Sequence, residues 1–151
     1  MPNNYFQKGD LYSIINGLAN TAITRRLQKN FKDAGLEITI EQWSVLYHLW
    51  DQNGLSQQEL CNLTYRDKPS VTRLIDNLEK QKLVKRVASK KDRRKNIVTL
   101  TEHAMSLQKI TFELANKTLD EALSGIKKAD ILIVKNVLHK VFSNLQFTNI
   151  Q

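Results

Sequence analysis

Asp67-Lys68-Pro69-Ser70-Val71-Thr72-Arg73-Leu74-Ile75-Asp76-Asn77-Leu78 constrains the architecture more closely than any other stretch of this chain. Asp67 is a strong N-cap type, and Pro69 suits a first helical turn, where no intrahelical N–H bond is needed. Val71, Leu74, Ile75 and Leu78 then recur at i, i+3, i+4 and i+7, which draws one apolar stripe on a helix. Pro69, Thr72, Arg73, Asp76 and Asn77 face away from that stripe. Just upstream, Ser56 and Glu59 make an S-x-x-E capping box before a short helix with Leu60 and Leu63 inward. Just downstream, residues 83–89 and 96–101 are short and rich in Val, Ile and Thr. Lys90-Lys91-Asp92-Arg93-Arg94-Lys95 joins them, so they read as a two-stranded hairpin. Two short helices with a tight connection, followed by a charged hairpin, outline a winged helix-turn-helix.

The flanks are helical. Leu11, Ile15, Leu18 and Ala22 predict a first helix over residues 10–33, with Gly35 near its end. Thr39 and Gln42 form another capping box, ahead of a helix carrying Trp43, Val45, Leu46, Leu49 and Trp50 that stops before Asn53-Gly54. Thr101 opens a long helix to about residue 123, and Gly125 breaks it. A last helix over residues 127–145 places Ile131, Val134, Leu138, Val141, Phe142 and Leu145 on one side. The predicted order is α-α-α-α-β-β-α-α, mainly α with a small β-hairpin wing. Residues 1–35 and 101–151 are expected to form a helical dimerisation region, interleaved with a winged helix-turn-helix lobe over 36–100. The last two helices alone carry more apolar residues than one thin helix pair hides, and a homodimer is the simple way to bury them.

Charge narrows the function. The net charge is +8. Residues 64–96 hold 12 Lys and Arg against 4 Asp and Glu, and the rest of the chain holds 11 of each sign, so the whole excess lies in one block. A solvated surface usually mixes its signs, and a concentrated basic block predicts a polyanionic partner, nucleic acid first. An α-helix fits the major groove, where its N-terminal turns meet base edges. Arg73 has the planar fork for a guanine edge, Ser70 and Thr72 suit a base edge or a phosphate, Lys68 suits a phosphate, and Asn77 lies on the same face. Ser56, Gln57 and Gln58, at a helix N-terminus, can offer backbone N–H groups to a phosphate, although capping alone accounts for Ser56. A polar helix face is ordinarily just solvated; here the adjoining basic hairpin favours DNA.

These residues resemble the MarR family of bacterial transcription regulators, across nearly the whole chain. Asp92-Arg93-Arg94-Lys95-Asn96-Ile97-Val98-Thr99-Leu100-Thr101 fits that family's D-x-R-x-x-x-x-x-L-T signature. Leu55-Ser56-Gln57-Gln58-Glu59-Leu60 and the segment from Ser70 to Glu79 resemble its helix-turn-helix, with Leu83-Val84-Lys85-Arg86 in register between helix and wing. The resemblance implies a homodimer on pseudo-palindromic double-stranded DNA, acting as a repressor. By that match Arg94 is the wing residue that enters the minor groove, Asp92 orients the wing arginine, and Arg73 sits on the recognition helix; Arg93, in the same basic loop tip, is a further DNA-contact candidate. Many relatives carry a small-molecule effector site in a cleft, for which Tyr12, Trp43, Tyr47 and His48 are candidates here; their helical spacing equally fits plain core, and core is the favoured reading. Peroxide-sensing relatives use a cysteine in the first helix. This chain has none there, and Cys61, among Leu60 and Leu63, is expected to be a buried, inert thiol. The alternative from another class is a winged-helix module whose basic face binds an acidic protein.

No G-x-x-x-x-G-K-[ST], G-x-G-x-x-G or H-E-x-x-H is present. His48, His103 and His139 fall on three separate predicted helices without ligand spacing, so no metal, cofactor or enzymatic activity is expected. No apolar run is long enough for a membrane span, residues 1–10 are polar, and the single cysteine suits a reducing cytoplasm.

Overall fold

The computed structural model describes residues 7–146, without the side chain of Leu11. The expectations for Leu11, for residues 1–6 and for 147–151 lie outside the described residues. Chain contacts separate two units, Met1–Thr118 and Leu119–Gln151. The first opens with α1 (Lys8–Ile15), α2 (Leu18–Asp33) and α3 (Ile40–Asp51). Then come β1 (Leu55–Ser56), α4 (Gln57–Thr64), α5 (Lys68–Lys80), β2 (Val84–Ala88) and β3 (Asn96–Leu100). Helix α6 (Glu102–Ala122) begins in the first unit, and the second holds its last residues and α7 (Lys128–Gln146).

The single first helix expected from the sequence is in fact two. Gly17 adopts φ 60° and splits it, because a residue without Cβ enters left-handed space at no steric cost. The apolar spacing runs through the break, so periodicity alone does not reveal it. Leu63 is also corrected: it is 50% exposed, whereas Leu60 and Cys61 are buried. At about 100° per residue the buried face of α4 centres between Leu60 and Cys61, which turns Leu63 toward solvent. The two-residue β1 is a third difference. It adds an edge strand to the hairpin, giving the antiparallel order β1-β3-β2, with Leu55 opposite Val98 and Arg86 opposite Val98 on its other side.

The predicted caps form. Thr39–Gln42 and Ser56–Glu59 are reciprocal capping boxes, and the Asp67 carboxylate accepts from the Ser70 N–H at 2.8 Å. Phe31, Val45, Leu46, Leu49, Leu60, Val71, Ile75 and Leu78 are fully buried and form the centre of the core, joined by Val84 and Val98 from the sheet. The Trp50 indole N–H donates to the Ala104 carbonyl at 3.0 Å, so α3 is tied to the start of α6. Gly54 sits at φ 87°, where an added Cβ would lie 3.3 Å from Ile97 Cδ1 on β3. Gly54→Ala is therefore expected to lower stability by about 1–2 kcal/mol, read by urea denaturation.

Candidate nucleic-acid interface

Helix α5 buries Val71, Ile75 and Leu78, with Leu74 half-buried. Its other side exposes Lys68, Arg73 and Asn77, with Ser70, Thr72 and Asp76 half-buried. Thr72 is less available than its position suggests. Its hydroxyl donates to the Lys68 carbonyl at 2.8 Å and accepts from the Gln57 amide. A hydroxyl has one proton and two lone pairs, so only one lone pair and the methyl group remain for a ligand. Gln57 thereby serves as a tie between α4 and α5, and Ser56 is occupied in capping.

The wing tip is shaped by Asp92. Its Oδ1 accepts from the Arg94 backbone N–H at 3.0 Å, the Lys95 N–H donates to the Asp92 carbonyl, and the Ser89 N–H donates to the Lys95 carbonyl. Asp92 thus bends the backbone that carries the wing arginine; its hydrogen bond goes to the peptide and not to the guanidinium. Arg93 and Arg94 are exposed. Among the described residues neither they, nor Arg73, nor Lys68 enters an ion pair. The wing lies near α4 electrostatically as well. The Glu59 carboxyl is held below its usual range first by its hydrogen bonds to Ser56, with Lys91 and Lys95 adding to the effect.

Helix and wing are coupled by a contact that the sequence analysis missed. Arg86, on β2, donates to Asp76 and to Glu79 of α5, each at 2.6 Å. Asp76 faces away from the apolar stripe as predicted, but it turns to β2. The i, i+3 spacing of Asp76 and Glu79 was the available signal, since it places two carboxylates on one helix edge. Arg86→Ala removes both charge-assisted bonds and leaves two carboxylates side by side. Because both are partly solvated, the expected loss of stability is about 1–2 kcal/mol by chemical denaturation. At the base of the wing, the Asn53 side-chain carbonyl accepts the Leu100 N–H at 2.9 Å and fixes the end of β3.

Three of the four effector candidates come together. Trp43 packs edge-on to Phe31 and Phe112 with ring centroids 6.0 and 5.8 Å away, and Tyr47 lies between Trp43 and His48. Burial pushes the His48 pKa down, opposed by Asp51. The Trp43 indole N–H is buried without an acceptor among the described residues. Tyr12 is 62% exposed on α1, and no described ring contact joins it to this cluster. A cleft of about 270 Å³ opens elsewhere, lined by Leu36, Ile38, Leu83, His103 and Leu107 among others, and includes none of the four. Cys61 is buried. No group of three or more His, Cys, Asp or Glu suited to a metal occurs among the described residues, and no described helix is long and apolar enough to cross a membrane.

Residues 38–95 match the model of the MarR family. The chain is 26% identical over 130 residues to the organic hydroperoxide resistance transcriptional regulator of Bacillus subtilis (strain 168), covering 85% of this chain and 87% of that one. Among solved structures it resembles Bordetella bronchiseptica BpsR, whose DNA binding is regulated by 6-hydroxynicotinic acid, at 25% identity and TM-score 0.77, covering 93% of this chain and 96% of that one. It shares its fold with a cysteine-to-serine mutant of MarR from E.coli complexed with operator DNA, at 21% identity and TM-score 0.77, covering 85% and 91% of the two chains.

Proposed function

We propose, because residues 38–95 match the MarR family model and the chain is similar to a curated transcriptional regulator over most of its length, that it is a MarR-family transcriptional regulator and a sequence-specific repressor, binding a pseudo-palindromic operator as a homodimer in the cytoplasm. The observation that carries this reading is the pairing of two exposed cationic elements on one lobe. Arg73 on α5 and Arg93 and Arg94 at the wing tip have no ion-pair partner among the described residues, and Arg86 ties the helix to the strand that bears the wing. A recognition helix held against its wing can address the major groove and the neighbouring minor groove at once. Lys68 and Ser70 anchor phosphates, Arg73 and Asn77 read base edges, and Thr72 offers its methyl group.

Dimerisation uses the helices of residues 1–35 and 101–151, with 36–100 as the DNA-binding lobe. In its support, Val134, Leu138, Val141 and Leu145 of α7 are all about half or more exposed, an apolar face too continuous for a solvated helix. Two copies would set their recognition helices about 34–36 Å apart, one turn of DNA. A small-molecule effector that releases the operator fits the aromatic cluster around Trp43, whose N–H still lacks an acceptor among the described residues; it would act by favouring a dimer with the wrong helix spacing.

Selection of genomic fragments with the purified protein, followed by salt titration of the best fragment, tests this. The expected result is a two-half-site duplex bound roughly 10³-fold or more tighter than random DNA, with affinity falling steeply as salt rises. Equal, weak binding to every fragment refutes it.

A further inference from the structure

Thr72 stands in the second turn of α5, between the exposed Lys68 and Arg73, on the half of the helix that meets base edges. A threonine on a helix divides between two rotamers, because its hydroxyl can turn back to the carbonyl three or four residues earlier. Here the choice is made by the fold. The hydroxyl donates to the Lys68 carbonyl at 2.8 Å and accepts from the side-chain amide of Gln57, the first residue of α4. Its proton and one lone pair are engaged, so it cannot donate to a base without breaking a bond inside the lobe. The polar half of the side chain is thereby committed to the protein. What Thr72 has left for the groove is its Cγ2 methyl, fixed in one staggered position by the two bonds to the neighbouring oxygen. One base offers a matching group in the major groove: thymine, through its C5 methyl.

We propose that Thr72 reads a thymine in each half-site by methyl-to-methyl contact, and that Gln57 is the positioning residue that sets the Thr72 rotamer for it. This deepens the DNA-binding reading above and rests on it. The part played differs in kind from that of Arg73, whose fork addresses the hydrogen-bonding edge of guanine. The contact is apolar, so it separates thymine from cytosine and from uracil while adding nothing to the salt dependence. Asp76, one turn further along the same row of α5, is held by Arg86. That row therefore presents Lys68 to phosphate and the Thr72 methyl to a base.

The test uses a duplex selected by the parent protein from a random-sequence pool, with thymines replaced by deoxyuridine at one symmetric pair of positions at a time. Uracil keeps the pairing and the hydrogen-bonding groups of thymine and lacks only the methyl. For the parent, one such pair should weaken binding about tenfold in all, from about three- to fourfold per half-site, as burial of a methyl group predicts. Thr72→Ser keeps the hydroxyl and loses the methyl; it should bind both duplexes alike, at the parent's affinity for the uracil duplex. Gln57→Leu keeps the methyl but frees the rotamer; it should cut the thymine-to-uracil ratio to about threefold or less. A merely structural tie would lower Tm and weaken both duplexes equally, leaving that ratio intact. A flat uracil scan, or a ratio that survives Thr72→Ser, overturns the thymine contact, and a ratio that survives Gln57→Leu overturns the positioning role. Selection that yields no duplex bound more tightly than random DNA refutes the DNA-binding reading and this inference with it. Selection that succeeds with a flat scan refutes this inference alone.

Discussion

Charging the apolar face of α7 with Leu138→Glu and Val141→Glu together is expected to turn the proposed dimer into a monomer and to weaken binding to a two-half-site duplex by about 10²–10⁴-fold. The physical reason has two steps. Leu138 and Val141 are 61% and 49% exposed in the single chain, so the substitutions cost its fold little. In the proposed dimer the same positions would be desolvated, and burying two carboxylates per copy without partners is strongly unfavourable. Once the copies separate, the second half-site is no longer presented at high effective concentration, and the avidity is lost without any change at the DNA-reading surface. Sedimentation velocity checks the first step, and titration of one-half-site against two-half-site duplexes checks the second. The monomer should bind a single half-site as the parent lobe does. A variant that stays dimeric places the interface elsewhere.

Arg73→Ala carries the second large effect. A bidentate contact to a guanine edge is worth about 1–3 kcal/mol of discrimination, and a homodimer loses it twice, so the operator affinity should fall by roughly 2–6 kcal/mol. Arg73 is exposed and outside the core, so Tm should hardly move. The diagnostic is specificity: preference should relax at one position in each half-site while nonspecific binding persists. Arg94→Ala, by contrast, should weaken the operator by about 1–3 kcal/mol and lower the salt dependence, as expected for an arginine drawn to the negative potential of a narrow groove. If Arg73→Ala weakens all duplexes equally, the arginine contacts a phosphate, and base readout passes to other residues of α5.

Both predictions depend on features of different legibility. The stripe of Val71, Leu74, Ile75 and Leu78, the caps at Thr39, Ser56 and Asp67, and the switch to short Val- and Ile-rich strands after Leu83 are local signals. Each is set within one or two helical turns or one strand, and each is present in the fold. The cluster of positive charge over residues 64–96 and the outward position of Arg73 follow from order and period alone.

What those residues are joined to is settled only in the folded chain. Gly17 breaks a helix that periodicity carries straight through, because a left-handed backbone leaves no trace in apolar spacing. Thr72 is committed to Gln57 and to the Lys68 carbonyl, and Asp76 is taken by Arg86, so two residues on the outward face of α5 already have partners inside the lobe. Asp92 holds the wing's backbone, while the arginine side chains stay exposed. Trp43, Tyr47 and His48 gather with Phe112 from a distant part of the chain, and no described ring contact brings Tyr12 to them. The division has one physical cause. Helix period, capping and charge density depend on neighbours along the chain, so the order of residues is enough to set them. A hydrogen-bond partner or a packed ring depends on which distant segments the core brings within about 3–6 Å, and that distance exists only once the chain has folded.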